Sequence, residues 1–296
     1  MIDGQPLALL VNPSAAHGRA LKLLPEIEAE LDARRVPFRV ARTRGLEDGV
    51  ERALLAVEGG ELPVVLSGDG MVGAVGGALA GSETPLGILP AGRGNDLART
   101  LGIPSEPAAA VATLLDGRVE RIDVGEANGR RFLGIASCGL DSEANRLANE
   151  TKLLRGNLVY AYAGFRSLVA WKPARFTIGV GEERIRMTGF SVAAANNSTF
   201  GGGMRLAPDA DLRDGEFDVV TIVDHSRWKY AANLHKVFSG AHVEMDEVRV
   251  FRTARLELSA SRPFAVSADG EHLTDLPATL RVLPRALGVV VPRNPG

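Results

Sequence analysis

Residues 64–81, VVLSGDGMVGAVGGALAG, place a short apolar run directly before Gly68-Asp69-Gly70-Met71-Val72-Gly73. Glycines after a strand let backbone N–H groups face an anion, and a following helix adds its positive end. The spelling G-x-G-x-x-G also fits a dinucleotide-binding turn. That fingerprint, however, follows the first strand of its unit, with an acidic residue near the end of the second. Here it follows the third apolar run, and the first ends in Val11-Asn12-Pro13-Ser14. A Walker A loop is excluded, because the chain contains no Gly-Lys pair. Asp69 is the informative residue. A carboxylate repels phosphate unless a metal ion or water lies between them, so it points to Mg-nucleotide chemistry. The plainer alternative is a strand-to-helix turn with an Asp cap.

Two other segments have the same character. Val11-Asn12-Pro13-Ser14-Ala15-Ala16-His17-Gly18 sets small and polar groups after the first apolar run, and Pro90-Ala91-Gly92-Arg93-Gly94-Asn95-Asp96 does so after the fourth. If those runs are strands of one parallel sheet, all three loops meet at its carboxyl edge, where a nucleotide belongs.

The elements that must position these loops follow from periodicity. Leu7–Val11, Phe38–Ala41, Val64–Leu66 and Leu86–Leu89 read as strands. Arg19–Ala33 (Leu23, Ile27 and Leu31 on one face), Leu46–Val57 and Val72–Ala80 read as helices. The alternation predicts an α/β domain with a parallel sheet over residues 1–122. After that the rhythm changes. Phe132–Ser137, Arg175–Val180, Arg184–Ala195, Phe217–Val223, Val248–Phe251, Arg255–Ser259 and Phe264–Ser267 read as strands, with helices expected only at Asp141–Asn149 and Asn157–Trp171. This predicts a mainly antiparallel β-sandwich over 123–275. Ala278–Leu283 and Leu287–Val291, within 276–296, are further strands that either domain could claim.

At this point the chain resembles the diacylglycerol kinase catalytic-domain family, in its soluble bacterial lipid kinase form. The matching pieces are VNPSA, SGDGM for the family's GGDGT, PLGILPAGRGNDLAR for its PxGTxNDxAR, DVG, GGGMRLAPDADLRDGEFDVV and ADGE. The resemblance runs nearly end to end. It implies a nucleotide-binding α/β domain, a β-sandwich, an active site in the cleft between them, and ATP-dependent phosphorylation of a lipid hydroxyl such as that of diacylglycerol. Two other readings stand beside it: a catalytically impaired nucleotide- or lipid-binding homologue, and a soluble-substrate kinase of the NAD kinase type.

The resemblance also implies roles. Asn12, Ser14, Thr43, Ser67, Gly68, Gly70, Met71, Gly92, Arg93 and Asn95 would line the ATP site. Asp69 would act through Mg²⁺ or ordered water, together with Asp123. Asp211, Asp214 and the backbone carbonyl of Glu216 would hold a second, structural Mg²⁺, against the bland reading of an acidic β-turn. Asp269 or Glu271 would be the general base, against that of a hairpin turn. The chain departs from the pattern at Ser67, Met71, Ala74 and Arg93, where the family carries Gly, Thr, Glu and Thr. Met71 and Arg93 remove hydroxyls from the nucleotide site, and Arg93 could supply a phosphate-binding cation instead.

Composition narrows the rest. The 296 residues carry a net charge of -2, which disfavours nucleic-acid binding by a basic surface. One cysteine, Cys138, excludes an intrachain disulfide and any multi-Cys metal site. A cytoplasmic protein is expected, with its lipid substrate at a membrane surface and a peripheral position on the inner face of the membrane. Oligomeric state stays open, a homodimer being one option. Thr151–Phe176 carries Lys152, Arg155, Arg166, Lys172 and Arg175, no acidic residue, and Tyr160, Tyr162, Phe165 and Trp171. Such a segment could lie on anionic lipid; a helix packed on the sandwich is the competing reading.

Overall fold

The computed structural model describes residues 4–140, 142–143, 166–167 and 170–293. It divides into two compact units: Met1–Val124 with Pro284–Gly296, and Gly125–Leu283.

The first unit holds a parallel sheet of β1 (Leu7–Val11), β2 (Phe38–Arg42), β3 (Leu62–Ser67) and β4 (Gly87–Pro90), in the order β2-β1-β3-β4. β1 and β3 are buried along their whole length. Central parallel strands covered on both faces read as continuous apolar runs for this reason. Helices α1 (Arg19–Ala33), α2 (Leu46–Glu58), α3 (Asp69–Leu79), α4 (Asp96–Thr100) and α5 (Pro107–Asp116) complete it. α1 buries Ala20, Leu24, Ile27 and Leu31. The inward leucine is thus Leu24 rather than the expected Leu23, because the stripe advances by four, three and four residues.

α3 begins at Asp69, three residues earlier than its apolar pattern suggested, with Gly68 as N-cap. The expected tight turn Gly68-Asp69-Gly70 is therefore the first turn of a helix. Seven of its eleven residues are buried, three of them glycines. Small residues let α3 lie close to its neighbours. A side chain at Gly49 of α2, for instance, would overlap the sulfur of Met71.

The second unit is antiparallel and sandwich-like. Its strands are β6 (Arg130–Phe132), β7 (Ile135–Gly139), β8 (Ala174–Val180), β9 (Glu183–Ala195), β10 (Phe217–Val223), β11 (Val248–Thr253), β12 (Arg255–Ala260), β13 (Ala265–Ala268) and β14 (Glu271–Asp275). β5 (Arg118–Ala127) and β15 (Ala278–Val291) belong to both units by chain, since each crosses a division point. The strand order is β14-β13-β7-β9-β8-β12-β15-β5-β6, with β10 on β9 and β11 on β10. The single strand expected over Phe132–Ser137 is two, broken at Leu133-Gly134. The two expected at the C-terminus are one strand, which runs through Pro284 and Arg285. Its far end lies beside β4, where Leu86 bridges Val289.

One core fills the second unit. Phe132 stacks on Phe217 at 5.8 Å, and its ring covers Gly125, the residue opposite it on β5. An aromatic ring over a strand glycine fills the space that the missing side chain leaves. Helices α6 (Arg227–Asn233) and α7 (Lys236–Ser239) lie between β10 and β11. The expected helices Asp141–Asn149 and Asn157–Trp171, and most of the basic segment Thr151–Phe176, lie outside the described residues. No helix among the described residues is long and apolar enough to cross a membrane.

Candidate active site

In the first unit, the loops after β1, β3 and β4 leave the same edge of the parallel sheet and touch one another. The closest approach is between glycines. A Cβ placed on Gly68 would sit 3.0 Å from the Cα of Gly92, and one on Gly92 would overlap Gly68 outright. Ala91 donates its N–H to the Ser67 carbonyl at 2.8 Å, which extends the β3–β4 pairing into the loops.

Asp69 fastens this contact. Its two carboxylate oxygens accept the backbone N–H groups of Asn95 and Asp96, both at 2.7 Å. These are the N-cap and first residue of α4, whose N–H groups have no acceptor within their own helix. Asn95 sits at φ +52, a conformation few side chains adopt. Its amide holds the loop there, accepting from Gly92 N–H at 2.8 Å and donating to Gly92 O at 3.2 Å. The carboxylate expected to meet Mg-nucleotide thus spends both oxygens on the backbone of the next loop. Burial, and then the charge of Asp96, push the Asp69 carboxyl above its ordinary range, against the pull of the N–H bonds. The acidic neighbour Asp69 responds to is Asp96. Asp123 is fully buried and accepts the backbone N–H of Arg285 at 2.7 Å.

The first loop closes the arrangement. Asn12 Oδ1 accepts Ser14 N–H at 3.0 Å, leaving Ser14 exposed. The Arg93 guanidinium lies 2.9 Å from His17 Nδ1, and Arg19 donates to Gly92 O at 3.4 Å. The sequence placed His17 in a phosphate loop without giving it a partner, and gave Arg19 no role at all. Thr43 and Ser67 are buried, and the Thr43 hydroxyl donates to Val11 O at 3.3 Å. Both residues lie at strand ends beneath the loops. Met71 is turned into the α2–α3 contact and is buried. The side chains exposed on these loops are Ser14, His17 and Arg93, while Met71 is buried. The N–H groups of Gly70 and Met71, in the first turn of α3, lack intrahelical acceptors, and Arg93 is exposed on the loop whose Gly92 touches Gly68, the N-cap of that helix. A helix N-terminus with an arginine nearby is suited to an anion such as a phosphate chain.

In the second unit, Asp269 and Gly270 form the two-residue connection between β13 and β14, at φ +53 and +86. Positive φ at both central positions is the turn that matches strand twist, which explains Asp-Gly here. Asp269 acts as Asp69 does: its oxygens accept Leu133 N–H and Gly134 N–H, each at 2.9 Å. Those two amides lie at the break between β6 and β7. Glu271, two residues on, is exposed, and none of the described residues hydrogen-bonds its carboxylate. Of the two candidate bases, one is a brace and the other is free.

The turn 211–216 carries an Asp211–Arg213 ion pair at 2.8 Å and an Asp214 that accepts Glu216 N–H at 3.0 Å. Arg252 lies 3.7 Å from Asp214 and 3.2 Å from Asp218. Among the described residues, no three or more His, Cys, Asp or Glu side chains gather closely enough to hold a metal ion by themselves. The turn does offer two carboxylates and main-chain carbonyls, all hard oxygen donors. Mg²⁺ takes such donors a few at a time and keeps water in its remaining positions, so the donor set fits that ion in kind.

Comparison with known proteins adds the following. Residues 6–127 match the diacylglycerol kinase catalytic domain, and residues 134–291 match the YegS C-terminal NAD kinase beta sandwich-like domain. A protein of Mycobacterium tuberculosis named diacylglycerol kinase is 35% identical over 295 residues, covering 96% of this chain and 94% of that one. A Pseudomonas aeruginosa protein named "Probable lipid kinase YegS-like" is 34% identical over 277 residues, 90% of each chain. Among solved structures, a diacylglycerol kinase from Bacillus anthracis superposes with a TM-score of 0.75, at 20% identity over 98% and 97% of the two chains. That last likeness concerns the fold.

Proposed function

This chain belongs to the diacylglycerol kinase catalytic-domain family and is a lipid kinase, and from that premise we propose that it transfers the γ-phosphate of ATP to a lipid hydroxyl such as that of diacylglycerol. The observation that carries the reading is the locked junction of the loops after β3 and β4, Gly68 on Gly92 and Asp69 on Asn95 and Asp96. Phosphoryl transfer asks little covalent chemistry of a protein. It asks for rigid positioning and for charge placed where the transferred group carries its own.

On this reading the N–H groups opening α3 and the guanidinium of Arg93 hold the phosphates, with Asn12 and Ser14 on the adjoining loop. Gly68 and Gly92 let the two loops meet backbone to backbone. Asp69, Asn95, Thr43, Ser67 and Met71 keep that backbone in place from beneath. A lipid hydroxyl is a poor nucleophile until its proton has an acceptor. Glu271 is the carboxylate with its oxygens uncommitted, and it takes that proton, while Asp269 positions the strand break at Leu133-Gly134. Mg²⁺, when bound with the nucleotide, supplies charge neutralisation of the phosphates. Asp211, Asp214 and the Glu216 carbonyl would hold a further ion that ties the 211–216 turn.

The test is transfer of label from γ-labelled ATP, with Mg²⁺, to extracted membrane lipids, followed by identification of the labelled product. Label in phosphatidic acid supports diacylglycerol as acceptor. Nucleotide binding with no label in any lipid overturns the proposal.

A further inference from the structure

Helices α6 and α7 form a nearly continuous helical stretch, joined at Leu234, whose N–H donates to Ala231 O and whose carbonyl accepts Val237 N–H. One face points inward: Val237 is buried, and Tyr230 and Asn233 are half-buried, at spacings of three and four. A second face, centred about 120° round the helix from the first at 3.6 residues per turn, is the unusual one. Trp228, Ala231, Leu234 and Phe238 follow the same helical spacing and are all exposed, with Trp228 68%, Leu234 51% and Phe238 59% accessible. A surface helix normally turns charged residues outward. Here the outward stripe is apolar and ends in two aromatics, the mark of an interaction surface.

We propose that this outward face of Trp228, Leu234 and Phe238 docks the protein onto an anionic lipid surface. The proposal rests on the lipid kinase reading for its partner and on this face for its site. Three observations favour lipid. Indole rings prefer the boundary between apolar and aqueous phases, where their body and polar tip are both satisfied. From His225 to Val243 the chain has no Asp or Glu. Lys236 on the stretch, and Arg205, whose N–H donates to Val237 O at 2.8 Å, make no ion pair among the described residues. Lys229 adds no free charge, since it pairs with Glu247. A second copy of the chain is the competing occupant. Three large side chains present on the order of 300–400 Å², well short of the roughly 800 Å² per partner that a stable interface uses.

The test uses the intact protein and vesicles of phosphatidylglycerol and phosphatidylcholine. The chain has two tryptophans, and the other, Trp171, is buried. In Trp171→Phe, emission therefore reports on Trp228 alone. Expected results are a blue shift on adding anionic vesicles, quenching by brominated acyl chains, and at least roughly tenfold weaker vesicle partition for Trp228→Ser/Phe238→Ser. Arg205→Gln/Lys236→Gln should weaken partition on anionic vesicles only. Turnover on a short-chain, monomeric acceptor should be unchanged in the serine variant while turnover on vesicle-borne acceptor falls. Unchanged partition in the serine variant overturns the proposal. So does a dimer in sedimentation that this variant dissociates without loss of partition. If wild type binds vesicles through this face yet phosphorylates no lipid, the docking stands and the kinase reading fails.

Discussion

Gly68 and Gly92 meet backbone to backbone, and neither position has room for a side chain against the other. Gly92→Ala forces a Cβ onto the Gly68 Cα and within 2.8 Å of Asn95 Oδ1. The Gly68 Cα is backbone and cannot yield as a side chain would, so the loops must separate. Overpacking of this kind costs roughly 1–3 kcal/mol, and the separated loops no longer share one anion site. The expected result in Gly92→Ala is a lower melting temperature together with loss of nucleotide binding by calorimetry. Wild-type affinity in a folded Gly92→Ala protein would show that the glycine contact does not shape the site.

How much of this was legible beforehand depends on the range of the interaction. The β10 strand, Phe217–Val223, has the same bounds in sequence and structure, because five apolar residues, four of them β-branched, stand between Glu216 and Asp224. The parallel half was readable from its alternation, and the three glycine loops from their place after each strand. The start of α3 was not, since glycines blur the helical period and the helix opens three residues before its first valine. Nor was the work of Asp69 and Asp269. Each looks like a catalytic carboxylate in an Asp-Gly pair. Their partners lie 26 and 27 residues away for Asp69, and 136 and 135 for Asp269. Spacing along the chain carries no trace of such contacts. The same holds for Arg93 on His17, which only the folded sheet edge brings together.

Asp69 predicts a dependence on pH. Burial and Asp96 raise its pKa in the folded chain, so the native state holds this proton more tightly than the unfolded state does. Its contribution to stability is then greatest below the ordinary carboxyl pKa of about 3.9 and declines as pH rises through the raised native value. Asp69→Asn removes the titration and turns an amide N–H₂ toward the backbone N–H groups of Asn95 or Asp96. The gap in melting temperature between wild type and Asp69→Asn should be wider at pH about 5 than at pH about 8. A gap that is flat, or that widens toward high pH, would mean that the N–H bonds outweigh burial.

Asp269 and Glu271 should separate cleanly by stability and rate. Glu271 is exposed and unbonded by the described residues, so Glu271→Gln should leave the melting temperature unchanged. As general base it should still cost about 10²–10⁴-fold in turnover, with little change in nucleotide affinity. Asp269→Asn should instead destabilise, because it cannot accept both the Leu133 and Gly134 N–H groups; one lost buried bond is worth about 1–3 kcal/mol. Full turnover in Glu271→Gln would falsify its assignment as the base.

The turn 211–216 bears the last prediction. Asp211, Asp214 and the Glu216 carbonyl are hard oxygen donors on one short segment, and β10 begins directly after them at Phe217. A divalent ion bound there would stabilise the folded chain by mass action, by about 2.7 kcal/mol at a hundredfold excess over Kd, provided the unfolded chain does not bind it. The ion must compete with Arg213 on Asp211 and Arg252 near Asp214, so its affinity should be modest and strongly dependent on Asp214. In the absence of nucleotide, adding millimolar Mg²⁺ should raise the melting temperature of wild type, and chelation should reverse the rise. Asp214→Ala should abolish this response while lowering the melting temperature in chelator only slightly, since it removes a 3.7 Å contact to Arg252 that is worth little and a solvent-exposed bond from Glu216 N–H. A Mg²⁺ response of equal size in Asp214→Ala would place the ion elsewhere and leave 211–216 an acidic turn held by its own arginines.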